Sequence, residues 1–315
     1  MDYLAYLAAF LMLIIGIPSI IMNSLIIYVF LKEKLHRTAF NVICFTRASI
    51  NLYVTFFMFI LIFTVDAILL ESPYSKNFEF AIISSSMSLY IMNEFTTILV
   101  AINRFIAIFA PMFYSKYCGV KVTAFLVFLI FAYRAFRTFQ DLTFYIGKEC
   151  YLLFSVEYLT FFPYYNENCG GSDISSTLYA TIIGFLIVSV LNIAIFSKIA
   201  MFVFQNRNID KDAKNRQRKN TVLFFQTILQ DSLVVFDMVF TFKLSGLWET
   251  RIWSLISYVL VWETIYMLDG LIMLMFNEQL SLIKKQLFAS FPTITKKSMH
   301  EPSRSKVSTL PEVSG

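Results

Sequence analysis

The sequence predicts an all-α membrane protein, a bundle of seven transmembrane helices with its N-terminus outside the cell and its C-terminus in the cytosol. Three observations lead to this prediction. Apolar residues make up 58% of the 315 residues and charged residues only 15%, whereas a soluble domain is about half apolar and a quarter charged. The apolar residues are grouped in seven long blocks, and the basic residues are concentrated in the loops on one side of those blocks.

Each apolar block has at least the roughly 20 residues that a helix needs to cross a bilayer. In lipid only helices and closed barrels satisfy their backbone polar groups, and the blocks lack the alternating period of barrel strands. We therefore interpret all seven as helices. The predicted helices are Leu4–Leu31, Phe40–Leu70, Phe78–Phe109, Val122–Phe144, Ser176–Phe204, Thr221–Leu244 and Ile252–Phe276.

The distribution of Lys and Arg predicts the orientation. Nineteen of the 26 basic residues lie at the inner ends of the first, third, fifth and seventh blocks or in the segments that follow them, and only Lys76, Lys148, Lys243 and Arg251 lie on the other side. Cytosolic loops carry the excess of basic residues, so the richer side is assigned to the cytosol. This one-sidedness also argues against reading the net charge of +5 as a nucleic-acid site; the partner expected for these residues is the lipid bilayer.

Neither a cofactor nor an enzymatic reaction is expected from the sequence. The four cysteines lack metal-ligand spacing, and two histidines in the whole chain offer little for a metal site. There are no paired catalytic acids with a nucleophile, no His–Glu zinc pattern and no glycine-rich phosphate loop. The N-terminus lacks a basic segment before its apolar block, so we expect the first helix to act as its own insertion signal.

Two cysteines, Cys150 and Cys169, lie in the loop after the fourth block, which is the longest loop on the predicted outside. Because the exterior is oxidising, a disulfide between them is plausible; two free thiols are the alternative. Cys44 and Cys118 lie near the predicted cytosolic side and are expected to stay reduced.

The third block ends in a motif, Asn103-Arg104-Phe105, which is followed by Pro111 and Tyr114. An arginine at the end of a membrane helix is ordinarily an anchor that reaches the head groups. The alternative is the arginine of an Asp-Arg-Tyr-type receptor switch, which the spacing of Pro111 and Tyr114 favours.

With these motifs the chain resembles a family of G-protein-coupled receptors, the nematode chemoreceptors called serpentine receptor class X, from about Gly16 to Phe276. The segments that carry the resemblance are Ala101–Phe105, Phe224–Asp231, Trp262-Glu263 and Asp269–Asn277. The resemblance implies a chemosensory receptor in the plasma membrane of a sensory neuron. Such a receptor binds a small external molecule and signals to a heterotrimeric G protein.

The chain departs from the broader rhodopsin-like pattern. Its fourth helix has no Trp, its sixth has no Pro, and its third has no Cys at the outer end, so the usual disulfide from that helix cannot form. Asn103 stands where the pattern has Asp and cannot hold the arginine by charge.

Depth along the helices predicts a buried polar cluster. Asn23, Asn51 and Asp269 lie about eight, eleven and eight residues from the inner ends of their helices, which places them at similar heights at about 1.5 Å per residue. The acid of the rhodopsin-like pattern is thus moved from the second helix to the seventh, and Arg47 is the nearest partner in depth. The cluster is either a structural clasp or a switch that repacks on activation. The predicted members are Asn23, Arg47, Asn51, Asp269 and Asn277.

Two further polar stripes are predicted to face the bundle: Gln226, Gln230 and Asp237 on the sixth helix, and Arg134, Arg137 and Asp141 on the fourth. Hydrogen bonding within the membrane is the simpler interpretation, and contact with a ligand is the alternative. A ligand pocket is expected among the outer halves of the helices. Its candidate residues are Met87, Tyr90, Asn93, Glu94, Tyr258 and Trp262.

The predicted domain organisation is one receptor domain over residues 1–290 and a tail over residues 291–315. An amphipathic helix is expected at 280–289, and the tail, rich in Ser, Pro and charge, is expected to be disordered. The competing function is a multi-pass transporter or channel-like subunit for a small solute. Transporters often have internal repeats and helices broken by Gly or Pro; no clear repeat is found, and the chain has only 9 Gly and 7 Pro.

Overall fold

The computed structural model describes residues 2–32, 38–164, 169, 174–205 and 211–276, and the side chains within these ranges except at 174–180, 202–205, 211–220 and 223. Asn277, the predicted amphipathic helix and the predicted tail lie outside the described residues.

The described chain forms a mostly helical membrane protein of seven long helices. Six of them, α1 to α5 and α7, are long and apolar enough to cross a membrane. Each long helix overlaps one of the predicted blocks, and the largest difference is at the sixth, where the helix begins at Lys211 and the predicted block at Thr221. The helices are α1 (Tyr3–Lys32), α2 (Ala39–Leu69), α3 (Lys76–Phe109), α4 (Val120–Gly147), α5 (Ile174–Gln205), α6 (Lys211–Val239) and α7 (Arg251–Phe276). The predicted fold class, an all-α membrane bundle of seven helices, is therefore confirmed.

Side-chain caps fix where three of the helices begin. The hydroxyl oxygens of Thr38, Ser75 and Thr250 accept hydrogen bonds from backbone N–H groups three residues later, at 3.2, 3.4 and 3.3 Å. Such caps satisfy amide donors that have no partner in the first helical turn. A short helix, Pro111–Tyr117, follows α3 and has its proline at the first helical position, where the missing amide donor costs nothing.

Three stretches have π-helical hydrogen bonding, which the sequence did not predict. They are Val54–Thr64 inside α2, Phe240–Leu244 directly after α6, and Leu255–Leu260 inside α7. In the first, Thr64 Oγ1 donates to the carbonyl of Phe59, five residues earlier, at 2.9 Å. Wider turns of this kind change which side chains face the bundle and are frequent at functional sites.

Helix α3 is central to the bundle. It packs against α2, α4, α5 and α6, while α1 packs against α2 and α7 on the other side. The main core is apolar and aromatic, and its largest fully buried members include Phe59, Phe63 and Tyr266. This arrangement brings the polar side chains of α1, α2, α3, α6 and α7 towards one another.

The loop between α4 and α5 contains a β-hairpin that the sequence did not predict. Strand β1 (Tyr151–Ser155) pairs antiparallel with β2 (Thr160–Tyr164), and a disulfide joins Cys150, next to β1, to Cys169. The hairpin packs on the bundle: Phe154 stacks on Phe63 with ring centroids 4.5 Å apart.

Polar contacts fasten the hairpin to the helix ends. The carboxyl Oε1 of Glu79 accepts a hydrogen bond from the backbone N–H of Phe154 at 2.7 Å. Arg251, the first residue of α7, donates to the carbonyl of Val156 at 3.0 Å and also pairs with Asp2. The hairpin therefore covers one end of the bundle above α2, α3 and α7.

Candidate functional site

A buried cluster of polar side chains is centred on Asp269 of α7. Its Oδ1 accepts hydrogen bonds from Arg47 Nη2 at 3.0 Å and from Gln230 Nε2 at 2.7 Å. Its Oδ2 accepts from Asn51 Nδ2 at 2.8 Å and from Arg47 Nε at 3.4 Å. The carboxylate, which is 2% exposed, is thus matched by one guanidinium and two amides.

The same cluster reaches α1 and α3. Asn51 Nδ2 also donates to Asn23 Oδ1 at 3.3 Å, and Asn51 Oδ1 accepts from Asn93 Nδ2 at 3.1 Å. Arg47 Nη1 donates to Thr97 Oγ1 at 2.7 Å. The structure therefore brings together four of the five residues predicted for the cluster. Three more, Asn93, Thr97 and Gln230, join them from helices that the depth argument did not include.

Gly270, next to Asp269, is what lets α7 approach Asn23 so closely. A Cβ atom on this glycine would lie 2.9 Å from Asn23 Nδ2 and 3.0 Å from its Oδ1, too close for any side chain without a shift. Close backbone approach at small residues is typical of helix pairs in membranes.

The ion pair at the centre of the cluster is costly to disturb because all three guanidinium nitrogens of Arg47 and both carboxylate oxygens of Asp269 have hydrogen-bond partners. A buried ion pair gains from the low dielectric only if its remaining donors and acceptors are bonded. Here Arg47 and Asp269 are 6% and 2% exposed and share bonds with α3 and α6. Removing one member would leave the others buried without partners.

Arg104, the arginine of the motif that ends α3, is buried rather than extended towards head groups. Its Nη1 donates to Thr227 Oγ1 on α6, and its guanidinium lies 4.9 Å from the ring centroid of Phe40 on α2. Within the described part of the chain, Nη2 has no hydrogen-bond partner. An arginine that only anchors a helix to the lipid head groups would not be buried in this way. Here Arg104 contacts α2 and α6 from its own helix, α3.

The other residues of the motif lie on α3 and on the short helix that follows it. Asn103 is 8% exposed. Phe105 stacks on Phe109 with centroids 4.4 Å apart. Pro111 begins the short helix, and Tyr114 is half-buried on it.

A second polar group lies between α3, α6 and α7. Tyr90 donates to Asp237 Oδ2 at 2.5 Å, and Thr241 Oγ1 donates to Asp237 Oδ1 at 3.2 Å. The edge of Tyr90 meets Trp262, with centroids 5.4 Å apart. A small cavity of about 30 Å³ separates this group from the Asp269 cluster. Its size and polar walls suit one or two water molecules.

A larger cavity of about 300 Å³ lies between α3, α4 and α5, and α6 forms part of its wall. Of the six residues predicted for a ligand pocket, Glu94 lines this cavity, and Tyr90, Asn93 and Glu94 line the smaller one. Among the described side chains that line these two cavities, Met87, Tyr258 and Trp262 are not found; Trp262 packs in the core beneath the hairpin, 5.6 Å from the ring of Phe161.

Three buried acids were not predicted as site residues. Asp66, Glu79 and Glu263 are at most 2% exposed. Both carboxyl oxygens of Asp66 and of Glu263 have no hydrogen-bond partner among the described residues. The sequence feature that could have identified them is an acidic residue inside an apolar block, because acidic residues in membrane helices usually have a specific role.

Comparison with known proteins gives one family match. Residues 10–277 match the family described as serpentine type 7TM GPCR chemoreceptor Srx. No curated protein matches the chain significantly.

Proposed function

Since the chain belongs to the Srx family of serpentine seven-transmembrane chemoreceptors, we propose that it binds a small molecule from outside the cell and activates a heterotrimeric G protein in the cytosol. The family match indicates a receptor in a membrane and not an enzyme. In this proposal the N-terminus is outside, the C-terminus is in the cytosol, and the receptor lies in the plasma membrane of a sensory neuron.

The observation that carries the proposal is the contact between Arg104 of α3 and Thr227 of α6. This contact joins α3 and α6 near the end of the bundle that is predicted to face the cytosol. The prediction is based on 19 of the 26 basic residues of the chain. A G protein that reads the state of the receptor needs an element with two arrangements at this end. The hydrogen bond between Arg104 and Thr227 supports such an element, because among the described residues the second terminal nitrogen of Arg104 has no partner and is open to another arrangement.

The proposed coupling is tested by breaking this contact from the α6 side. Thr227→Ala removes the acceptor and should raise G-protein activation without ligand several-fold, measured in cells at matched surface level. Ser232→Ala is the control, because Ser232 is exposed on the same helix and its hydroxyl bonds only its own helix at Leu229. Equal basal signals from both variants and the unchanged chain, across a panel of G proteins, would contradict the coupling.

The proposed orientation has its own test. An antibody should reach a tag placed before Leu4 on intact cells and should reach a tag after Gly315 only after permeabilisation. The count of basic residues supports this expectation. Staining of the C-terminal tag on intact cells would reverse the orientation.

A further inference from the structure

We propose that the cavity between α3, α4 and α5 binds a small apolar α-amino acid, with Glu94 holding the ammonium group and Arg134 holding the carboxylate. The inference deepens the proposed function by naming the class of ligand, and it rests on that function only for the signalling that would follow binding.

The cavity has the size and walls of a small-molecule site. Its volume of about 300 Å³ lies at the lower end of the range of about 300–1,000 Å³ for ligand pockets. Apolar and aromatic side chains such as Phe95 on α3 and Phe185 on α5 provide most of the lining. Ligand sites commonly combine such walls with a few placed polar groups.

Glu94 provides an unused acceptor at this cavity. Its Oε2 accepts a hydrogen bond from Thr181 Oγ1 on α5 at 2.9 Å, which fixes the carboxyl group between α3 and α5. Its Oε1 is buried and has no hydrogen-bond partner among the described residues. Buried polar atoms are nearly always bonded, and this oxygen, at the wall of the cavity, is open to a donor from outside the chain.

Arg134 on α4 provides unused donors at the same cavity. Its Nε donates to Ser88 Oγ at 3.2 Å, which holds the side chain against α3. No hydrogen bond to its two terminal nitrogens is found among the described residues. A guanidinium presents paired N–H groups that match a carboxylate.

The other two charged side chains of the cavity are less suited to a ligand. Asp231 Oδ2 accepts a short hydrogen bond of 2.5 Å from Asn192 on α5, and, unlike Glu94, Asp231 has no oxygen among the buried described atoms that lack a partner. Arg137 is exposed and directed to Gln140 on its own helix at 3.5 Å. Glu94 and Arg134 therefore remain as an acid and a base with open hydrogen-bonding positions. A ligand with one charge of each sign would bond to both, whereas a singly charged ligand would bond to only one.

The size of the site depends on Gly184. A Cβ atom there would approach the Ile98 Cδ1 atom to 3.3 Å, and both residues line the cavity. A large side chain at position 184 would therefore occupy the space proposed for the ligand.

The first experiment measures binding to the purified full-length chain in lipid nanodiscs through its melting temperature. Leucine, methionine, phenylalanine and tryptophan are the probes. At least one should raise the melting temperature in a saturable way, as a ligand that binds only the folded state does. For each one that binds, the matching amine without the carboxylate and the matching acid without the ammonium should bind at least ten-fold more weakly. If none of the four raises the melting temperature at millimolar concentrations, the proposal is wrong.

Charge variants assign the two ends of the ligand. Glu94→Gln should weaken the amino acid at least ten-fold while leaving the affinity of the acid analogue nearly unchanged. Arg134→Gln should also weaken the amino acid at least ten-fold, but it should leave the affinity of the amine analogue nearly unchanged. Gly184→Leu should abolish binding, and Val190→Leu is its control because Val190 is 66% exposed on the outer side of α5. Equal loss for every analogue in both charge variants would contradict the assignment.

The readout separates this inference from the proposed function, because melting does not involve a G protein. Binding without any signal from the Thr227→Ala variant would support the site and contradict the coupling. A raised signal from that variant together with no binding would support the coupling and overturn the site.

Discussion

The two sides of the bundle are built differently. In the most apolar stretches of α2 and α7, 50% and 56% of the residues are buried, whereas in those of α4 and α5 only 11% are. The polar cluster around Asp269 and the hairpin lie on the first side, and the larger cavity lies on the second. The comparison indicates that α1, α2 and α7 form a frame and that α4 and α5 are the helices with room to accept a ligand or to move.

The two sides differ in the close packing and the hydrogen bonds that hold their helices together. Lipid is as apolar as a leucine side chain, so membrane helices associate through close packing and hydrogen bonds. The buried face of α1 carries the small residues Ala5, Ala8, Ala9 and Gly16, and its Asn23 joins the cluster. In α4 the fully buried residues are only Thr123 and Val127, and large aromatic side chains such as Phe136 and Phe139 are exposed to the surroundings.

The largest effect is expected from breaking the ion pair in the frame. Arg47→Met leaves the buried Asp269 without its cation, and breaking a buried pair costs about 3–5 kcal/mol. We expect most of the variant protein to be retained inside the cell and the purified remainder to melt at lower temperature. Surface staining and thermal melting measure this.

Two comparisons decide whether charge is the cause. The double variant Arg47→Met with Asp269→Asn should recover part of the loss, with a coupling of about 0.5–3 kcal/mol. Arg137→Met makes the same change at an exposed arginine of α4 and should be nearly neutral. Additive effects in the double variant would show that the two side chains do not act as a pair.

The next effect tests the hairpin that covers the frame. The disulfide between Cys150 and Cys169 closes a loop with a sequence separation of 19 residues, and a bridge of this length contributes roughly 3 kcal/mol in the chain-entropy model. Cys150→Ser should lower surface expression and melting temperature, and Cys118→Ser, at a free cysteine, should not. Mass spectrometry that finds both thiols free in folded protein would remove the basis for this prediction.

A glycine series compares the two sides directly. Gly270→Ala forces a methyl group against Asn23 and should cost about 1–3 kcal/mol, as overpacking usually does. Gly184→Ala meets only the flexible end of Ile98 at 3.3 Å and Gly147→Ala meets nothing within 4 Å, so both should be tolerated. If Gly184→Ala lowered the melting temperature as much as Gly270→Ala, the second side would not be the looser one.

Much of this architecture could be predicted from the sequence because lipid imposes simple rules. Continuous apolar blocks gave all seven helices to within a few residues at most ends. Depth counted along those helices also placed Asn23, Asn51 and Asp269 at one height, since the rise per residue is constant. Depth does not give rotation about the helix axis, which is why Gln230, Asn93 and Thr97 were not assigned to the cluster.

The parts that could not be predicted depend on contacts between distant segments. The hairpin lies in the loop between α4 and α5, where the sequence has no signal for strands. Its aromatic residues Phe154 and Phe161 pack against Phe63 and Trp262 of distant helices, and such contacts cannot be found from the loop sequence alone. Tyr258 lies inside the π-helical stretch of α7 and Trp262 comes two residues after it, and neither is among the described residues that line the two cavities above, although their depth suggested a pocket. The acids Asp66 and Glu263 were visible in the sequence, but nothing in their spacing identified a partner.

The smallest effect on the melting temperature is expected from the ion pair that joins the start of α1 to the start of α7. Asp2, just before α1, pairs with Arg251 at the start of α7, and chiefly the hydrogen bond from Arg251 holds the pKa of this carboxyl below its ordinary value. A carboxyl whose pKa is lowered on folding stabilises the fold above its unfolded pKa of about 3.9 and loses that contribution as the pH falls through the lower folded value. The melting temperature of the unchanged chain should therefore exceed that of Asp2→Asn at neutral pH by less than the Gly270→Ala effect, since exposed pairs contribute little. The two melting temperatures should begin to converge as the pH falls past about 3.9 and meet below the lower folded pKa. Glu71→Gln, at another exposed acid near the hairpin end of α2, controls for the loss of a surface charge. A gap between Asp2→Asn and the unchanged chain that stays constant as the pH falls would mean that the ion pair does not tie α1 to α7.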